Sequence, residues 1–249
     1  MKKQDIAIVV PHFNEEIRIG NGEYLIRLSQ ALSATFIYVD DGSTDNTVEV
    51  LENVARITGA KVVKLEINHG KSEAVRRGII AALETNPKPK FVGYLDADGA
   101  FSVQELQRNL DCFEKHCVQG KYNMYICSRV ALAGREISRS KSRHYIARIL
   151  MTLLGFIQKQ LPYDTQSGFK LMRTDLINFK STWDLEFHTK WFFDIELLCR
   201  LRNAGSLKIW EEPAEEWADV RGSKITWKSI PSIFLEFLYI CYLLFHSGS

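Results

Sequence analysis

Three short apolar, β-branched runs, at residues 6–10, 36–40 and 91–95, each end in a polar or acidic turn, and no other feature constrains this chain as tightly. Runs of that length and composition, bounded by turn residues, read as strands buried on both faces; residues 61–65 read as a fourth, less central strand. Helical spacing separates them at residues 23–32, 44–57 and 71–83. Asn68-His69-Gly70 forms a turn ahead of the third helix, and Asn86-Pro87 closes it. Strand and helix in this alternation predict an α/β fold with a mainly parallel sheet and helices on both faces. Such sheets bind ligands at the carboxyl ends of their strands. The turns found there are Pro11-His12-Phe13-Asn14-Glu15, Asp40-Asp41-Gly42-Ser43 and Asp96-Ala97-Asp98-Gly99, so acids are expected to gather along one rim.

The second half is less regular. Strands are expected near residues 122–127, 169–172 and 207–211, and helices at 142–158, 191–204 and 227–245. Hydrophobic residues make up 46% of the 249 and charged residues 25%, values of a packed domain rather than a disordered chain. A net charge of +2 gives no ground for a nucleic-acid partner, and none is expected. The basic residues cluster instead: Arg135, Arg139, Lys141, Arg143 and Arg148 face the single acid Glu136. Five scattered cysteines, with no C-x-x-C pair, fit reduced thiols better than a disulfide framework or a zinc site. No apolar leader precedes the first strand, so the expected location is cytoplasmic.

Asp96-Ala97-Asp98 carries the sharpest chemistry. Alternate side chains of an extended segment point the same way, so two carboxylates two apart can share one hard cation. Mg²⁺ or Mn²⁺ suits such oxygen ligands, with substrate phosphates and water completing the shell. A plain acidic turn is the competing reading, and the two acidic strand ends beside it favour the metal. At the second strand end, a carboxylate fixed on rigid backbone can accept the N–H of a nucleobase. There Gly42 permits a sharp turn, and Ser43 and Thr44 are expected to cap the next helix. Phe13 is suited to stacking on a base and Glu15 to a ribose hydroxyl.

Taken in order, Pro-His-Phe-Asn-Glu from Pro11, Asp-Asp-Gly-Ser-Thr-Asp from Asp40, Asn-His-Gly-Lys ending at Lys71, and Asp-Ala-Asp-Gly from Asp96 resemble the successive signatures of family 2 glycosyltransferases with the GT-A fold. Ser128-Arg129, Asp164-Thr-Gln-Ser-Gly-Phe-Lys170 and Phe193-Asp-Ile-Glu-Leu-Leu198 narrow the resemblance to the polyprenyl-phosphate branch, the dolichyl-phosphate β-glucosyltransferase type above all, then dolichyl-phosphate mannose synthases. The resemblance implies a Rossmann-like three-layer α/β/α sandwich over residues 1–225, with residues 226–249 as an amphipathic C-terminal helix. It implies that Pro11, Phe13, Glu15, Asp41, Lys71 and Asp96 hold the nucleotide, that Asp98 with Asp96 holds the metal, and that Arg129 meets phosphate. Phe13 replaces the more usual tyrosine, and Ala100 stands where mannose synthases have a metal-supporting glutamine.

The implied reaction is an inverting transfer of a sugar, glucose favoured, from a UDP- or GDP-sugar to a polyprenyl phosphate. A phosphate nucleophile is anionic near neutral pH and needs cations rather than a base. Arg129 and Arg143, within or beside the basic cluster, suit that acceptor. A sugar hydroxyl acceptor, the alternative within the class, requires a carboxylate base, with Asp194 and Glu196 as candidates. A sugar nucleotidyltransferase is a second alternative, although the first strand lacks the glycine- and arginine-rich loop of those enzymes. The apolar residues at 149–157 and 233–245 point to the cytoplasmic face of a membrane. The latter stretch is shorter than the ~20 residues of a spanning helix and contains Glu236, so it fits an interfacial helix and a core-packed helix equally.

Overall fold

The computed structural model describes residues 2–138, 152–155, 158, 161–176, 178–205, 207–220 and 230–246. Seven strands form one sheet in the order β3-β2-β1-β4-β7-β5-β8. They are β1 (Ile6–His12), β2 (Thr35–Asp40), β3 (Lys61–Lys64), β4 (Phe91–Leu95), β5 (Met124–Ser128), β7 (Phe169–Arg173) and β8 (Ile209–Pro213). The pairs β1–β2, β1–β4, β2–β3 and β5–β8 are parallel, and β7 runs antiparallel between β4 and β5. A two-stranded parallel ribbon of β6 (Glu136–Ser138) and β9 (Glu216–Ala218) stands apart.

Alternation along β1 shows how the layers are made. Ile6, Ile8 and Val10 enter one core with Leu25, Leu28, Leu51, Val54, Leu106 and Leu110, whereas Ala7 and Val9 enter the other with Ala74, Val75, Ile79, Leu197 and Leu198. Successive side chains of a strand point to opposite faces, so a continuous apolar run requires helices on both sides. Helices α1 (Glu16–Ile19), α2 (Glu23–Ala31), α3 (Thr47–Thr58) and α5 (Val103–Phe113) belong with the first core; α4 (Lys71–Leu83) and α6 (Phe193–Ala204) belong with the second. The sandwich therefore has three layers. Its strand order reverses between β1 and β4, and a crevice opens there beyond the strand ends.

Several expectations need correction. Helix α3 starts at Thr47, three residues later than the spacing predicts, and Ser43 and Thr44 do not cap it. Ser43 Oγ accepts from the Asn14 amide at 2.9 Å and the Thr44 amide donates to Asn14 Oδ1, which ties the first two strand-end turns together; Asp45 takes the Thr47 amide. Helix α5 was not expected at all, although Ser102 caps it by accepting from the Glu105 amide at 3.0 Å. Within the expected helix at 142–158, residues 152–155 are helical; most of its span, and Arg143 with Arg139, Lys141 and Arg148, lies outside the described residues.

The last helix, α7 (Ile230–His246), divides its apolar residues between two faces. Ile240 and Leu244 are buried against Leu154, Phe192, Ile195 and Cys199, with Ile233 and Phe237 beside them. Phe234, Leu235, Leu238, Tyr242 and Phe245 are exposed. Among the described residues no helix is long and apolar enough to cross a membrane.

Candidate active site

A cleft of about 560 Å³ opens at the carboxyl ends of β1, β2 and β4. Its lining brings together Pro11, Phe13, Glu15, Asp41, Lys71, Asp96, Asp98 and Asp194, from five separate stretches of chain. Arg129 is not on that lining. A second hollow, about 710 Å³, lies between residues 99–102 and the β6–β9 ribbon. It is larger, but its Arg135 is already ion-paired with Glu215 at 2.5 Å, and the strand-end carboxylates lie elsewhere. The first is therefore the candidate active site.

Asp41 follows β2 and is buried. Its carboxylate accepts from the amides of His69 (2.9 Å) and Gly70 (2.7 Å) and from Asn68 Nδ2 (3.0 Å), so it organises the turn that delivers Lys71. Burial raises its pKa, and those two amides pull against the rise. Gly42 is required at this joint: its φ is +70°, and a Cβ there would sit 2.5 Å from the carbonyl carbon of Ile67. Glu15 is buried, pairs with Arg18 at 2.5 Å, and has its own amide held by Thr47 Oγ1.

Lys71 opens α4 directly after Gly70 and turns into the cleft, where its ammonium meets Asp96 Oδ1 at 2.6 Å and lies 5.7 Å from the ring centres of Tyr94 and Phe193. Burial alone would lower its pKa; the charges of Asp96 and Asp194 outweigh burial and raise it, so the lysine is a cation at neutral pH. Asp96 is held by its amide on the Gly168 carbonyl at 2.9 Å. Gly168 leaves room for that carboxylate, since a Cβ there would fall 2.5 Å from Asp96 Oδ2. Burial, and then the charge of Asp96, raise the pKa of Asp98.

Two carboxylates that repel each other inside one cleft form a site a hard divalent cation fits, because it would relieve that repulsion. Among the described residues no three His, Cys, Asp or Glu side chains gather to hold a metal by themselves. Asp96 and Asp98 would therefore share the ion with phosphates and water, as Mg²⁺ commonly is shared.

Arg129 and Asp194 are both closed by partners. Arg129 forms a fork with Asp164, Nε to Oδ2 and Nη2 to Oδ1 both at 2.7 Å, and Nη2 also donates to the Gln166 carbonyl at 2.8 Å. The fork expected to grip a phosphate is thus engaged within the protein. Its charge still acts nearby, because Asp164, Asp96 and Asp194 together outweigh burial and raise its pKa. Asp194 Oδ1 accepts from Lys170 Nζ at 2.5 Å and from the Tyr94 hydroxyl. Glu196, the other candidate base, is buried and holds Arg200, at 2.7 Å, and the Thr189 amide.

Residues 7–179 match glycosyl transferase family 2. The chain belongs to that family. It is a glycosyltransferase, and the sugar nucleotidyltransferase alternative falls. It is 31% identical to dolichyl-phosphate beta-glucosyltransferase of Drosophila melanogaster, over 89% of this chain and 69% of the fly protein. The enzyme of the same name from Saccharomyces cerevisiae is 28% identical, over 88% and 69%. Among solved structures, glucosyl-3-phosphoglycerate synthase of Mycobacterium tuberculosis, bound to Mn²⁺, UDP and phosphoglyceric acid, superposes with a TM-score of 0.63 at 18% identity, over 97% of this chain and 78% of that one. Residues 1–349 of S. aureus TarS with UDP-GlcNAc give 0.60 at 19% identity, over 98% of this chain and 66% of that 1–349 chain. These likenesses show the GT-A fold.

Proposed function

We propose that this chain transfers a hexose, glucose in the first instance, from a UDP-sugar to a polyprenyl phosphate such as dolichyl phosphate, with inversion, at the cytoplasmic face of a membrane. The observation that carries the proposal is the convergence of Asp41, Lys71, Asp96 and Asp98 on one cleft at the reversal of the strand order. The donor and acceptor classes follow the two dolichyl-phosphate relatives and the UDP complexes of the fold neighbours.

In this reading Pro11, Phe13, Glu15 and Asp41 bind the nucleoside, and Asp98 with Asp96 holds Mg²⁺ or Mn²⁺. When bound, that ion neutralises charge on the departing diphosphate. Lys71 adds a second cation beside the same oxygens. An acceptor phosphate oxygen attacks the anomeric carbon opposite the diphosphate; the new C–O bond forms as the bond to UDP breaks, and UDP leaves with its electron pair. Arg129, through its field rather than its occupied fork, lowers the repulsion between the two anions.

The closure of Asp194 and Glu196 favours a phosphate acceptor over a hydroxyl. Both carboxylates are engaged by protein cations, Asp194 by Lys170 and Glu196 by Arg200, whereas a hydroxyl nucleophile needs a base placed to meet it. The exposed apolar face of α7 is suited to the bilayer interface where such a lipid resides. Incubating the protein with Mn²⁺, radiolabelled UDP-glucose and detergent-dispersed polyprenyl phosphate tests the reading. An organic-soluble product that mild acid hydrolyses to free glucose is expected. An acid-stable glycoside, formed only on a sugar acceptor, would overturn it.

A further inference from the structure

Four consecutive backbone N–H groups, from His188 to Trp191, end on two carboxylates supplied by two helices. His188 and Thr189 donate to Glu196 of α6 at 3.1 and 2.9 Å. Lys190 and Trp191 donate to a single oxygen, Glu236 Oε2 of α7, at 3.0 and 2.8 Å. Glu236 is the only acid in α7, and helical spacing alone would assign it to a polar outer face. It turns inward instead, and the outer face is left to Phe234, Leu235, Leu238, Tyr242 and Phe245.

The segment that Glu236 holds is a wall of the cleft, since Lys190 and Trp191 are both on its lining. From Trp191 the connection continues inward. Its carbonyl accepts from Gln166 Nε2 at 2.9 Å, and the Gln166 carbonyl accepts from Arg129. An unbroken line of hydrogen bonds therefore runs from the apolar outer helix to the Arg129–Asp164 pair. Both amides at the rim of the cleft are thus taken by one side chain from a residue some 45 positions on in sequence.

We propose that Glu236 is a positioning residue: by taking the Lys190 and Trp191 amides it sets one wall of the donor cleft, so that nucleotide affinity depends on this carboxylate contact from α7. This rests on the cleft being the donor site. Glu236→Ala removes the acceptor of both amides, and Glu236→Gln keeps a carbonyl oxygen able to serve both. Leu244→Ala loosens the same helix away from the wall and reports what mere loss of packing does.

Calorimetric titration of UDP in Mn²⁺ supplies the first readout. E236A should weaken UDP about tenfold, the worth of one to two hydrogen bonds. E236Q should return it to within about threefold of wild type, and L244A should lower the melting temperature while leaving UDP affinity within about twofold. Wild-type affinity in E236A, no rescue in E236Q, or equal weakening by L244A would overturn the proposal. Amide hydrogen exchange at Lys190 and Trp191 supplies a readout independent of the donor assignment. Faster exchange in E236A, restored protection in E236Q and little change in L244A are expected; unchanged exchange in E236A would overturn the positioning role even if the wild type bound no UDP.

Discussion

The two sides of the cleft handle charge in opposite ways. On the donor side, Lys71 and Asp96 form a pair whose side chains are 36% and 28% exposed, open to whatever enters. On the far side, Lys170 and Asp194 are 0% and 6% exposed and closed on each other, and Arg129 is closed on Asp164 in the same manner. A buried ion without its partner is costly, so closed pairs hold the wall, whereas open ones remain available to a ligand. Substitutions on the donor side should therefore cost chemistry and spare the fold, and those on the far side should cost the fold first.

The largest effect is expected at Asp98. Asp98→Ala should slow sugar transfer on the order of 10³-fold, about 4 kcal/mol of barrier, because the leaving diphosphate loses its cation seat. Its melting temperature should hold or rise, since the residue removed is a carboxylate that burial and Asp96 disfavour in its charged form. Initial-rate assays with thermal unfolding on the same sample check both halves. Far across the cleft, Lys170→Met leaves Asp194 buried with the Tyr94 hydroxyl and without its ion-pair partner. A loss of roughly 3–5 kcal/mol of stability, about 10 °C in melting temperature, is expected from scanning calorimetry. A wild-type melting temperature would erase the contrast between the two sides.

Gly168→Ala sits on the border. The added Cβ must displace the Asp96 carboxylate, so transfer should fall about tenfold with a stability loss below that of Lys170→Met. Rates and melting temperatures measured together decide it.

The effect that is smallest near neutral pH, and grows only in acid, concerns His12, buried at the end of β1 with its pKa pushed down to about 3 by burial. The unfolded chain takes up a proton near pH 6.5 that the folded protein refuses until about pH 3. Between those values the unfolded state binds more protons, so this group makes stability fall as pH falls, by up to about 1.4 kcal/mol per pH unit. Denaturant unfolding at several pH values should show a shallower acid decline in His12→Phe, with the two curves parallel above pH 6.5.

The same division explains what the sequence made legible. The strand ends at Asp41, Asp96 and Asp98, and Lys71 after its glycine turn, obey local rules: apolar period, turn chemistry and helix start all act within a few residues. The closing partners do not. Arg129 and Asp164 lie 35 positions apart, and Glu236 lies 45 from the Trp191 amide; no local pattern announces such pairs. Asp41 accordingly appeared as a base-reading acceptor, with no sign that it also carries the Asn68–Gly70 turn. Helix α5 does carry a local signal, the Ser102–Glu105 cap at its start. In α7, apolar residues on both faces hid which side would meet the core and turned Glu236 to the wrong side.

Isothermal titration of UDP with Mn²⁺ against EDTA, on the wild type and on Asp96→Asn/Asp98→Asn, tests most directly whether the acidic rim seats a divalent ion beneath a diphosphate. Binding that requires the metal in the wild type and disappears in the doubly substituted protein is the predicted result. Equal affinity in EDTA, or metal-dependent binding that survives both substitutions, would contradict the account.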